Sequence, residues 1–304
     1  MPVLKPALLS SPSPSSNSVI IDLMCRLFGF RSVIQSQVHS SLVDAENALG
    51  IQSNDHPDGW GVAYYVQNSP HVVKSAKAAI GDAIFKKVSG IVSSETVLAH
   101  IRKTTIGNNN ILNTHPFQYG SWVFAHNGNI TDYKDKRDSI LAEVSPKFRR
   151  FILGDTDSEL IFYFLLSYLE DEHDLNAHDI DTQKFAKTLR EAINKLISIA
   201  GEPAKKDNSG ADATYYTFII TNGKIMIAFQ GGKNLHYSTY KNRCQERDIC
   251  PSFSPECEAP TQTGVINHLI FSSEPLVGEN IWHPLKLGEM VVCDPHMHFK
   301  ILTN

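Results

Sequence analysis

Cysteine is scarce in this sequence, with five among 304 residues: Cys25, Cys244, Cys250, Cys257 and Cys293. An odd number in a chain too large to need disulfide staples favours a reducing compartment, so the expected setting is cytoplasmic. Long apolar runs are missing as well, since nothing approaches the roughly 18 consecutive apolar residues that a membrane-spanning helix requires. Basic charge is not in excess either. The formal net charge is −4, with both signs mixed along the chain, which lacks the footprint that binding a phosphate backbone needs. Neither a membrane nor a nucleic acid is expected as a partner. No internal repeat is visible, and no cofactor is expected. What is present is ordinary: 42% hydrophobic and 20% charged residues, enough for one large domain or two small ones with a substantial core.

The first 23 residues, MPVLKPALLSSPSPSSNSVIIDL, hold one Lys and much Ser and Pro but no continuous apolar stretch, which makes a poor secretory signal. The Ser/Pro tract at positions 10 to 18 offers little to bury against the entropy of ordering it and reads as disordered. Residues 1–24 are therefore expected to be a disordered leader or a mis-assigned start, and residues 25–304 one domain. Within that domain, short β-rich runs follow one another in CRLFGF, GVAYYV, TVLAHIRK and SWVFAHNG, each bounded by turn formers. A helix is predicted across SSLVDAENALG, ended by Gly50, and another in GDTDSELIFYFLLSYLEDE, where Thr156 and Glu159 have capping-box spacing. Phe185, Leu189, Ile193, Leu196 and Ile197 then recur at helical spacing until Gly201 and Pro203 stop the segment. In TYYTFIITNGKIMIAFQ, Asn222-Gly223 predicts a hairpin with a type I′ turn. Further strands are read in LHYSTY, HLIFSSEP and EMVVCD. Strands, then helices, then strands with hairpins argue for an α+β fold of antiparallel sheets layered with helices, not a βαβ nucleotide fold.

The functional reading turns on Cys25 in DLMCRLFGF. If Cys25 became the first residue of the working chain, its free α-amino group, of pKa about 8, would be a ready general base for a thiol of pKa about 8.5. Methionine before a small residue is the processing site that creates such a nucleophile. Taken alone, the pair fits a buried packing cysteine better. Other segments shift the balance. In FAHNGNI, Asn127 offers a side-chain amide donor and Gly128 an unobstructed backbone N–H, and two converging N–H groups make an oxyanion hole. In LAHIRKTTIG, Arg102 emerges from an apolar strand, either as a surface charge or for bidentate capture of a carboxylate. Asp157 in GDTDSE stands at a helix start, which favours an acid through the helix dipole and could also hold an ammonium group. Together the pieces describe a site for an amino acid bearing a side-chain amide: glutamine or a γ-glutamyl amide.

Met24-Cys25-Arg26 before an apolar strand, HPDGWGVAYY, AHIRKTT, NTHPF, AHNGNI and DTDSE stand in the order of class II glutamine amidotransferases. From residue 24 to about 294 the chain resembles that family of N-terminal-nucleophile (Ntn) hydrolases, and within it the compact single-domain branch that includes γ-glutamyl amidases of glutathione degradation and ergothioneine synthesis. The resemblance implies a four-layer αββα sandwich of two antiparallel sheets flanked by helices. It also implies Cys25 as nucleophile, Asn127 and Gly128 as oxyanion hole, and Arg102 and Asp157 as holders of the glutamyl head group, with Thr105, Arg26 and Trp60 lining or supporting the site. The expected product of attack is a γ-glutamyl thioester. Since the pattern uses nearly all the residues from Cys25 onward, any ammonia acceptor, a synthase or peptidase, is expected on a separate chain. Two features depart from the pattern: Ile106 stands where many synthase-linked members have His, and the segment before Met24 is foreign to it. The competing readings are another N-terminal-cysteine acylase, which would not need Arg102 and Asp157, and a non-catalytic glutamyl-binding regulatory subunit if the leader is retained.

Thirteen histidines raise the question of metal, but His100, His115 and His126 lack metal-ligand spacing, and no metal site is expected. His115 and His126 are expected to hold neighbouring loops by hydrogen bonds. Cys244, Cys250 and Cys257 in CQERDICPSFSPEC fit no common zinc spacing, and a plain loop with buried or oxidised thiols is the favoured reading. SSEPLVGENIW, with Glu274 and Glu279, belongs to the same family pattern but suggests no chemistry of its own.

Overall fold

The computed structural model describes residues 25–303, apart from 39, 178, 206–212, 245–246 and 262–263. The expectations for Met24 and the leader lie outside the described residues. Directly after Cys25 the chain forms β1 (Arg26–Gln37), a π-helical turn (Ser40–Asp44) and α1 (Leu49–Gln52). A hairpin of β2 (Trp60–Val66) and β3 (Ser69–Ser75), then α2 (Ala83–Ile91) and β4 (Ser93–Ile101), complete the first stretch. β5 (Phe117–Tyr119) and β6 (Trp122–Asn129) lead into α3 (Tyr133–Glu143), α4 (Pro146–Arg149), α5 (Asp157–Glu172) and α6 (Thr182–Ala200). The remainder is mostly strand: β7 (Tyr215–Thr221), β8 (Met226–Phe229), β9 (His236–Ser238), β10 (His268–Ser272), β11 (His283–Pro284), β12 (Met290–Cys293) and β13 (Phe299–Leu302).

The strands form a seven-stranded sheet in the order β11-β9-β10-β1-β4-β2-β3 and a six-stranded sheet in the order β13-β12-β8-β7-β6-β5. Strand alternation explains how they stack. Leu27, Leu98 and Ala63 from the first sheet meet Val123, Ala125, Ile219 and Val291 from the second in one apolar layer between the sheets. Their neighbours Phe28, Ala99 and Val62 face outward with Leu42, Leu49 and Phe85, under α1 and α2. On the far side, Phe124, Phe218 and Ile220 join the buried faces of α5 and α6. Helices, sheet, sheet and helices are the four layers that the resemblance implies. The buried helix α5 is apolar nearly all round, and Phe124 stacks on its Phe162 at 5.2 Å between ring centres, a contact worth about 0.5 to 1.5 kcal/mol beyond burial.

Local chemistry departs from expectation in three places. Gly50 does not end a helix: it lies inside α1, where a side chain would crowd Phe85 and the Leu42 carbonyl at about 3 Å. Asn222-Gly223 does join two strands, but these close at Thr221 and Met226, so the connection has four residues and is not a type I′ turn. The Asn222 carboxamide instead accepts from Lys224 N and Ile225 N at 3.0 and 2.8 Å. The two-residue turn with positive φ at both positions joins β2 to β3 at Gln67 and Asn68, with φ of 50° and 66°. The capping box is half formed. Thr156 Oγ1 accepts from Glu159 N at 3.3 Å, but the Glu159 carboxylate turns to the Leu153 and Gly154 N–H groups at 3.2 and 2.6 Å.

Candidate active site

Arg26, Ile101 and Trp60 are neighbours across β1, β4 and β2, so the residues just before β1 and just after β4 meet at one end of the first sheet. There the Cys25 thiol donates to the Lys103 carbonyl at 3.3 Å, and the Lys103 N–H reaches the sulfur at 3.2 Å. The loop carrying Lys103 is pinned on both sides. Arg102 N donates to Gly59 O at 2.8 Å, Asp58 N to Arg102 O at 3.2 Å, and Thr104 N to the Asp58 carboxylate at 2.8 Å. Burial raises the Cys25 thiol above its ordinary value, against the opposing pull of the Lys103 N–H and the charges of Arg102 and Arg26. A protonated thiol in this setting needs a base before it can attack.

The Arg102 side chain is buried, and its guanidinium donates to Ile106 O at 3.1 Å and Asn108 O at 3.3 Å. A guanidinium has five N–H donors, so the fork keeps donors for a carboxylate after these bonds. The departure at Ile106 thus has a structural counterpart: its backbone orients Arg102 while its side chain packs against the helix-side core.

From the second sheet, β6 brings Asn127 and Gly128. Asn127 is buried, its amide donates to Ser273 Oγ at 3.4 Å, and Ser273 Oγ also accepts from Leu27 N at 2.9 Å. Gly128 leaves no room for a side chain, because a Cβ there would collide with the Tyr215 carbonyl and the His126 ring. Asp157 opens α5 and is buried, accepting from Ile130 N at 2.7 Å and Ser158 N at 2.8 Å. Burial outweighs these bonds and lifts its carboxyl to about 6. The charges of Arg102 and Asp157 both act on Cys25, and Asp157 also acts on Arg102.

Trp60 stands apart from this group, whereas Arg26, next in the chain to Cys25, acts on the thiol through its charge. Arg26 pairs with Glu274 at 2.5 Å. Trp60 is buried in the outer layer, its indole N–H donating to Asp82 at 3.0 Å and its ring meeting Phe85 edge-on at 5.1 Å. Thr105 is exposed on the loop after Arg102. HPDGWG therefore braces the Arg102 loop through Asp58 and Gly59, which the sequence reading passed over in favour of Trp60. Gly59 has a φ of 136°, and nothing in the sequence marks Asp58 as the partner of the distant Thr104 N–H.

The histidines divide. His126 makes hydrogen bonds as expected, to Ser158 Oγ at 2.9 Å and Tyr215 O at 3.0 Å, but these tie α5 to β7 and not a loop. His115 does not hold a loop by hydrogen bonds: among the described residues neither ring nitrogen has a partner, and it instead packs on His100 at 4.1 Å and Phe117 at 4.7 Å. Burial lowers His100 to about 3 and His126 to about 4, so both are neutral near pH 7. Cys244, Cys250 and Cys257 are free thiols that line a cavity of about 450 Å³ with Ser36 and His268. Cys293 is a free thiol in the layer between the sheets. Among the described residues, no three His, Cys, Asp or Glu side chains are grouped to hold a metal ion, and no helix is long and apolar enough to cross a membrane.

The family described as glutamine amidotransferases class-II matches residues 24–298. A glutamine amidotransferase homologue of Haemophilus influenzae is 30% identical over 226 residues, 72% of this chain and 66% of that protein. The gamma-glutamyl-hercynylcysteine sulfoxide hydrolase of Mycobacterium tuberculosis is 33% identical over 115 residues, 34% of this chain and 49% of that protein. The alignments thus span under two thirds of each of these relatives. Among solved structures, a glutamine aminotransferase class-II domain protein from Silicibacter pomeroyi aligns with a TM-score of 0.57 at 17% identity, covering 92% of this chain and 99% of that one, a likeness of fold. The family match over most of the chain and the two apposed antiparallel sheets between helices lead to one conclusion: this chain belongs to the class II glutamine amidotransferases, has the Ntn-hydrolase fold, and counts a γ-glutamyl hydrolase among its relatives.

Proposed function

We propose that the chain cleaves the γ-amide of glutamine or of a γ-glutamyl conjugate, with Cys25 as nucleophile and as the first residue of the working chain. The observation that carries this reading is the meeting of Cys25, the Arg102 loop and Asn127 at one end of the stacked sheets, within electrostatic reach of Asp157. Arg102 takes the substrate α-carboxylate, and Asp157 the α-ammonium. The free α-amine of Cys25 accepts the thiol proton as sulfur bonds to the amide carbon. Asn127 Nδ2 and Gly128 N–H then hold the oxyanion of the tetrahedral adduct. Collapse breaks the C–N bond, and the amine returns its proton to the leaving nitrogen. A γ-glutamyl thioester on Cys25 remains, which water, deprotonated by the same amine, cleaves to glutamate. Ammonia leaves if the substrate is glutamine, and a larger amine if it is a conjugate.

The match to a γ-glutamyl hydrolase favours hydrolysis without a second chain, while transfer of ammonia would need a separate synthase or peptidase partner. The test incubates protein started at Met24 with glutamine, glutathione and other γ-glutamyl amides beside a Cys25→Ala control. Glutamate release that depends on Cys25 is expected. Release from none of these substrates counts against the reading. Unchanged turnover after replacing Arg102 or Asp157 would favour an acylase of different specificity.

A further inference from the structure

The segment SSEP, residues 272–275, has no part in the reaction above, yet it touches the site on two sides. Glu274 pairs with Arg26, and Ser273 lies buried just beyond the end of β10. Ser273 N donates to Leu27 O at 3.1 Å and its hydroxyl accepts from Leu27 N at 2.9 Å, so it binds both backbone groups of the second residue after Cys25. The same hydroxyl faces Asn127 Nδ2 at 3.4 Å. Leu27 belongs to the first sheet and Asn127 to the second. One oxygen therefore joins the strand that follows the nucleophile to the strand that carries the amide.

The orientation of Asn127 depends on this bond. Its Oδ1 is buried with no hydrogen-bond partner, so among the described residues Ser273 is the group that fixes the amide plane. An amide nitrogen has two protons; with one spent on Ser273, the second remains for the substrate oxygen. We propose that Ser273 is a positioning residue of the oxyanion hole, holding Asn127 Nδ2 at a set distance from Cys25 through Leu27. The inference rests on the function proposed above and adds a residue to it. A donor that must meet an oxyanion at 2.7 to 3.1 Å tolerates little displacement. Losing its anchor should cost part of what losing the donor costs, and it should be felt in the transition state more than in substrate binding.

The test measures glutamate release from glutamine, glutathione and other γ-glutamyl amides by the purified chain, its first residue identified by intact mass, for wild type, Ser273→Ala, Ser273→Thr, Asn127→Ala and the Ser273→Ala/Asn127→Ala pair. Ser273→Ala is expected to lower kcat about 10-fold with KM little changed, against about 10²- to 10³-fold for loss of the Asn127 donor itself. Ser273→Thr, which keeps the hydroxyl, should retain most of the rate. In the pair, Ser273→Ala should add almost nothing to Asn127→Ala, because a residue that acts through another has no effect once the other is gone. If Ser273→Ala does not fold, Ser273→Cys, with a sulfur that is a weak acceptor, carries the same prediction. An active wild type whose kcat survives Ser273 replacement, or a pair whose effects multiply, would overturn this inference alone. A wild-type chain that releases no glutamate would overturn the function as well.

Discussion

The first sheet carries cysteines at both ends of β1, in different surroundings. At the start, Cys25 lies between the N–H and the carbonyl of one peptide, in a loop pinned by Asp58 and Gly59, with the charges of Arg102, Arg26 and Asp157 acting on it. Toward the other end, Cys244, Cys250 and Cys257 line a cavity. There Asn267 donates to Cys257 at 3.2 Å, and Lys241 approaches Cys244 at 3.9 Å. A thiol with a nitrogen donor nearby is thus common to both ends. What separates them under the proposed function is the rest of the constellation: among the described residues, the charges of Arg102 and Asp157 act on Cys25, and Asn127 comes from the opposite sheet to bond Ser273 beside Leu27.

The sharpest way to break this contrast is to exchange the cysteines' fates by mutation. Cys25→Ala should abolish glutamate release in a steady-state assay, whereas Cys244→Ser, Cys250→Ser and Cys257→Ser, singly or together, should leave it within about twofold, because these thiols line the cavity toward the other end of β1 and take no part in the proposed reaction. Next in size is Asn127→Ala, expected to lower kcat by about 10² to 10³ through loss of an oxyanion donor. Then come the head-group residues. Arg102→Ala should cost about 1.5 to 3 kcal/mol of charge-assisted hydrogen bonding, or roughly 10- to 100-fold, seen mainly in KM.

Two pH effects sharpen the contrast further. Asp157, lifted to about 6 by burial, takes up a proton below that pH and can no longer balance a substrate ammonium, so kcat/KM should fall on the acid side of about pH 6. The second effect concerns stability. His126, neutral in the fold down to about 4, titrates near 6.5 when unfolded, so between those values the unfolded chain binds more protons and stability is lost as pH falls. By pH 5 that loss is about 2 kcal/mol, and His100, lower still, adds a similar amount. Asp157 acts in the opposite sense, since its raised carboxyl binds protons in the fold first, and it returns about 1 kcal/mol over the same range. Denaturant melts at pH 7 and pH 5 should therefore show a net acid loss, smaller in His126→Gln.

Much of this site was legible because its parts lie in short contiguous motifs. AHIRKTT presents Arg102 and the Lys103 peptide in one stroke, and AHNGNI presents Asn127 and Gly128. Asp58 and Ser273 were not legible, because each acts on backbone N–H groups of segments far away in sequence, and a backbone donor has no residue type to recognise. The same reason hid the tight turn of β2 and β3. Gln67 and Asn68 adopt positive φ without a glycine to signal it, while the glycine-marked loop at Asn222-Gly223 is closed by side-chain bonds. Antiparallel sheets layered with helices were readable from the order of strand and helix signals along the chain, while the four-layer arrangement came only from the resemblance.

The central claim is that Cys25, with a free amine, attacks a γ-glutamyl amide. The direct measurement is intact mass of the protein after rapid acid quench with glutamine or glutathione, comparing chains begun at Met1 and at Met24. The account predicts a first residue of Cys25 in the active form, a γ-glutamyl adduct on that residue, and no adduct on Cys25→Ala. Full turnover by a chain that still carries residues ahead of Cys25, or glutamate release with no acyl adduct at Cys25, would contradict it.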